Sequence, residues 1–141
     1  MFRNNFTNAV IKKQNIAKYV LIQLNQYQIG KLGTVDTIPI ADITLEHIMP
    51  QNEKAQAWSH LKQNHEELVN RLGNLTLLEK NVNRDATDGS FIDKLINVYN
   101  KSSLQLNKDL KEYHQWTRDE ILDSKNSPSS RSRYGKRRLG F

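Results

Sequence analysis

Cysteine is absent from the 141 residues. That excludes disulfides, thiolate zinc sites and cysteine nucleophiles, and it fits a reducing compartment. Long apolar runs are absent too, and a transmembrane helix needs about 20 such residues. The first eight residues are polar and lack the apolar stretch of a signal peptide, so cytoplasmic residence is the default. Apolar residues make up only 37% of the chain and charged residues 26%. One domain with a thin core under a polar surface is expected. Acids are missing from the last seventeen positions, where Lys125, Arg131, Arg133, Lys136, Arg137 and Arg138 lie. The other 15 basic residues match the 15 acidic ones, so the net charge of +6 belongs to this tail. A basic tail holds phosphates without specificity and says little about the folded body.

What is present is mostly helical patterning. Ile16, Val20 and Leu24 recur at four-residue steps with Ala17 and Leu21 alongside, which predicts a helix over 8–29 stopped by Gly30. Ile43-Thr44-Leu45-Glu46-His47 alternates apolar and polar residues and reads as a short strand ended by Pro50. Residues 53–72 read as partly helical, and Leu75 to Leu78 as a second strand. Ser90 is placed to cap a helix bearing Phe91, Leu95 and Val98, with a further helix over about 103–113. Thr117 caps a last short one, with Asp119 and Glu120 in its first turn. Three parts are expected: a helical N-terminal segment over 1–40, the main domain over 41–123, and a basic, disordered tail over 124–141.

One constellation points to chemistry. Glu46-His47-Ile48-Met49-Pro50 is followed by Asn74, inside Gly73-Asn74-Leu75-Thr76-Leu77-Leu78, and then by Asn83. Metal-assisted phosphodiester hydrolysis needs an activated water, a Lewis acid and positive charge near the phosphate. Histidine titrates near neutral pH, so His47 supplies a general base. Mg²⁺ takes oxygen ligands and keeps several waters, so Glu46 and Asn83 suffice as protein donors. Asp42 competes with Glu46 for the carboxylate role, and Asn81 with Asn83 for the amide. Arg84 and Lys94 are candidates to face the phosphate. Strand neighbours point to opposite faces, so Glu46 and His47 share one site only if the strand ends or twists sharply there. Asn83 is expected to open a helix packed across the hairpin. His60, His65 and His114 read as surface residues, and Trp58 and Trp116 as core anchors.

These blocks, with Phe91 and Lys94, resemble the C-terminal nuclease domain of the GmrSD-type, modification-dependent (type IV) restriction endonucleases, within the HNH or His-Me finger superfamily. The resemblance runs from about Ile43 to Trp116. It implies an α+β, mostly helical fold built on a ββα-metal core with flanking helices. It implies a DNA endonuclease dependent on Mg²⁺ (or Mn²⁺) that works in restriction or phage defence. Under it His47 is the general base, Glu46 and Asn83 are the metal ligands, and Asn74 braces the loop that carries the base. Lys94 falls on a basic position expected to contact phosphate. Relatives carry an N-terminal ParB-like nucleotidase domain, which is expected here as a separate or missing partner. After Leu122 the chain departs from the family pattern, as a truncation or frameshift would make it do. The rival expectation is a degenerate domain that binds DNA or a partner chain without cutting.

Overall fold

The computed structural model describes residues 13–32, 40–83 and 88–124. The fold is α+β, with short helices around one antiparallel hairpin. Helix α1 runs Gln14–Leu32. Strand β1 is Ile43–His47 and β2 is Leu75–Glu79. Between them lie a 3-10 stretch over Gln56–Asn64 and helix α2, His65–Leu68. Helix α3, Lys80–Asn83, follows β2 directly. Then come α4 (Phe91–Asn97), α5 (Gln105–Asp109) and α6 (Arg118–Asp123). No helix among the described residues is long and apolar enough to cross a membrane.

The hairpin register decides everything about the site. Ile43 pairs with Glu79, Leu45 with Leu77 and His47 with Leu75, while Thr44 pairs with Leu78 and Glu46 with Thr76. Alternation therefore sends Ile43 and Leu45 to one face and Thr44 and Glu46 to the other, with His47 at the end of the strand. The first face packs on α1 and on the start of α5, through Ala17, Leu21, Leu104 and Leu106. The second packs on the larger core, which holds Leu78, Val82, Phe91, Val98 and Tyr99. A thin sheet buried on both sides explains why all of Leu75, Leu77 and Leu78 are buried.

Local signals were obeyed where the partner is near in sequence. The Ser90 hydroxyl accepts the Asp93 N–H at 3.2 Å and starts α4. The Glu120 carboxylate accepts the Thr117 N–H at 2.7 Å and starts α6. Trp58 and Trp116 are core anchors. Other expectations fail for identifiable reasons. Gly30 does not stop α1, which continues to Leu32. The buried stripe of α1 is Ala17, Leu21, Asn25 and Ile29, one position on from the Ile16–Val20–Leu24 row, and Ile16 is exposed. Polar Asn25 hid that stripe; it is buried because its Oδ1 accepts the Leu106 N–H at 3.2 Å. The helix expected over 103–113 is α5 followed by a 3-10 turn, Leu110–Glu112.

Helix α6 closes on the turn before β2. A Cβ on Gly73 would collide with the Ile121 carbonyl oxygen, so only glycine lets α6 approach this turn. The Ser124 hydroxyl donates to the Gly73 carbonyl at 2.5 Å, so Ser124 belongs to the packed body. The expected basic tail from Lys125 onward lies outside the described residues, as do the first residues, 8–12, of the helix expected over 8–29 and the site candidate Arg84.

Candidate active site

The segment leaving β1 is pinned at every carbonyl. The Lys94 ammonium donates to His47 O at 3.1 Å and to Ile48 O at 2.9 Å. The Asn74 amide donates to Met49 O at 3.0 Å. His65 Nε2 lies 2.8 Å from Pro50 O. Two amides are held as well: Ile48 N–H donates to Asn74 O at 2.9 Å, and Met49 N–H to Asn74 Oδ1 at 2.8 Å. Buried backbone polar groups need partners, and past His47, the last paired residue of β1, there is no regular ladder to supply them. Side chains do so instead, which fixes the direction in which His47 leaves the strand.

Asn74 is the centre of this arrangement. It is fully buried and uses its whole hydrogen-bonding capacity. Its Oδ1 accepts from Met49 N and from Trp116 Nε1 at 3.1 Å; its Nδ2 donates to Met49 O and to Val69 O at 3.0 Å. Trp116 thus ties the C-terminal part of the chain to the turn beside His47, and sequence reasoning assigned it only a packing role. Trp116→Phe keeps the ring contacts with Phe91 and Tyr113 but removes the indole donor. We expect a loss of about 1–2 kcal/mol of stability, the cost of a buried acceptor losing one partner. Urea unfolding measures it, and an unchanged midpoint would show the bond to be dispensable.

His47 sits at the lip of this turn, nearly buried. Its Nε2 lies 3.2 Å from Asn70 Oδ1. An acceptor there assigns the ring proton to Nε2 and leaves the lone pair on Nδ1. Burial depresses the imidazole's affinity for a proton, and this outweighs the opposing pull of the Asn70 hydrogen bond and of the Glu46 charge. The ring is therefore neutral at physiological pH, the form a general base requires. Asn70 carried no recognisable signal in the sequence.

Glu46 lies on the Thr44 face of β1. Its Oε2 accepts from Lys94 Nζ at 3.0 Å and from the Tyr99 hydroxyl at 2.9 Å. Burial, then the neighbouring carboxylate, pushes the Tyr99 hydroxyl pKa well up, so Tyr99 stays a donor. Pairing runs through His47↔Leu75 and β1 ends at His47, and the Glu46 charge reaches the imidazole, whose affinity for a proton it raises.

The remaining candidates divide. Lys94 was expected to face phosphate; it is 2% exposed and its ammonium is committed to three internal oxygens, so it is a strut of the turn after His47. His65, expected at the surface, is nearly buried against Pro50 O. Asn83 is the last residue of α3 rather than the opening residue of a helix, and its Nδ2 donates to Thr44 Oγ1 at 2.6 Å. That contact puts Asn83 over the Thr44–Glu46 face. Asp42 and Asn81, the rival ligand candidates, are exposed. No group of three or more histidine, cysteine, aspartate or glutamate side chains suited to a metal occurs among the described residues.

The site therefore joins a buried imidazole, held at Nε2 by Asn70, to a turn held by a saturated asparagine, inside a small α+β domain. The chain belongs to the family of GmrSD restriction endonuclease C-terminal domains, whose family model matches residues 1–127. Among curated proteins none matches it.

Proposed function

We propose that this domain is an HNH-class, metal-dependent endonuclease that hydrolyses DNA phosphodiester bonds, with β1, β2 and α3 as its ββα-metal unit. The observation that carries this reading is the Asn74 clamp, which holds the backbone around His47 while burial keeps the imidazole unprotonated. His47 Nδ1 takes the proton of the attacking water; the Nε2 contact with Asn70 keeps the ring from turning. Lys94 and Asn74 act on the reaction only by holding His47 in place.

The donor set fits one hard cation. Glu46 offers Oε1, since Oε2 is taken by Lys94 and Tyr99, and Asn83 offers its amide oxygen on the same face. One carboxylate and one amide with several waters suit Mg²⁺ or Mn²⁺. When bound, such an ion supplies charge stabilisation to the leaving 3′-oxygen. Arg84, next to Asn83, remains the candidate for phosphate contact. The substrate is DNA, recognition of a modification belongs to a ParB-like nucleotidase domain or subunit, and the setting is restriction or phage defence.

One observation favours the rival reading of a binding module: the Glu46 carboxylate already has a counter-charge in Lys94. Supercoiled plasmid separates the two. The purified chain is expected to nick it in Mg²⁺ or Mn²⁺ and to stop in EDTA. Folded protein that shifts DNA on a gel yet leaves it intact in every divalent ion favours the module.

A further inference from the structure

We infer that Thr44 is a positioning residue that decides which end of the Asn83 amide is offered to a cation. This rests on the reading of Asn83 as a metal ligand. A threonine hydroxyl has one proton to give. Thr44 gives it to the Leu78 carbonyl at 3.1 Å, and Leu78 is its direct partner across the hairpin. The hydroxyl can then only accept from the Asn83 side chain, which lies 2.6 Å away. The amide end that faces Thr44 is therefore the NH₂, and the carbonyl oxygen is the end directed away from it. A flipped amide would set two acceptor oxygens against each other and present two N–H donors in place of the oxygen. Hard cations bind the oxygen, never the nitrogen, of an amide.

The same strand supplies the other donor. Thr44 and Glu46 are two residues apart on β1, so they share the face over which α3 lies. The Leu78 carbonyl thus governs the ligand atom at one remove. It orients a hydroxyl, the hydroxyl orients an amide, and the amide oxygen is left for the ion. Partners that orient ligands in this way are worth about 10–100-fold in metal affinity.

The test titrates Mn²⁺ alone into the purified chain by calorimetry. Thr44→Val fills nearly the same volume but can neither accept from Asn83 nor donate to Leu78; Thr44→Ser keeps both. The inference expects Thr44→Val to weaken Mn²⁺ binding by about tenfold or more, and Thr44→Ser to stay within about twofold of the parent. If Thr44→Val binds as the parent does while Asn83→Ala loses binding, Thr44 is overturned and the site survives. If Asn83→Ala binds as the parent does, or the parent binds no Mn²⁺, the metal reading falls and this inference with it. A measurement on the parent guards against misfolding of the valine variant. One proton of the Asn83 side-chain NH₂ should be protected from solvent exchange by ¹⁵N NMR, and two freely exchanging protons overturn the orientation.

Discussion

His47→Ala is expected to abolish Mg²⁺-dependent nicking of plasmid DNA, a loss of at least about 10²-fold, while leaving the circular dichroism spectrum unchanged. The size follows from the role. A positioned general base typically contributes about 10²–10⁴-fold, and no other histidine has a comparable position. His65 is spent on Pro50 O and His60 Nε2 lies against Trp116 O. The fold should survive because the turn around His47 is held by its backbone, through Lys94 and Asn74, rather than by the imidazole. Equal nicking by parent and variant would end the assignment of His47, whatever the metal does.

The same substitution has a signature in acid. Burial holds the folded imidazole's pKa below its ordinary 6.5. As pH falls, the unfolded chain takes up this proton first, so stability declines below about pH 6.5 until the folded pKa is passed. The alanine variant lacks that decline, so its stability relative to the parent should rise as the solution is acidified. In activity the sign is the same: the parent needs the neutral ring, so its acid limb should lie below the usual imidazole value.

How much of this was readable from the chain depends on the distance between partners. Ser90 with Asp93 and Thr117 with Glu120 are three residues apart, and both caps were legible. Strand β1 was legible because alternation is local. The relation of Asn74 to the loop after His47 was accessible only through family resemblance, because the spacing alone allows a plain turn asparagine. Tyr99 was hidden, since its role depends on a contact with Glu46 across 53 residues and its helical spacing reads as core. Thr44 was within reach: it shares a strand face with Glu46, and that face was already suspected of chemistry. Lys94 was misread because a basic residue at a position matching the family suggests phosphate contact, and only the fold shows three buried acceptors converging on it.

Lys94→Met therefore separates two accounts of one residue. If Lys94 contacted phosphate, the variant would keep its stability and bind DNA more weakly. The buried geometry requires the opposite order of effects. Methionine fills the space of the lysine stem but leaves the Glu46 carboxylate with Tyr99 alone and strips the donor from His47 O and Ile48 O. Breaking one side of a buried ion pair costs about 3–5 kcal/mol, because the surviving charge stays desolvated. With a urea dependence of about 1–3 kcal/mol per molar, the midpoint should fall by more than about 1 M. Adding Glu46→Gln removes the stranded charge, so the double variant should be more stable than Lys94→Met alone. Recovery should be partial, since the two carbonyls still lack their donor. Full recovery would show that the ion pair is all that Lys94 supplies, and an unchanged urea midpoint in Lys94→Met would return the lysine to the surface and to the phosphate. Because the two carbonyls belong to His47, the proposed base, and to the residue after it, the variant's remaining folded fraction should also nick DNA more slowly at saturating substrate, with little change in the DNA concentration needed for half-maximal rate.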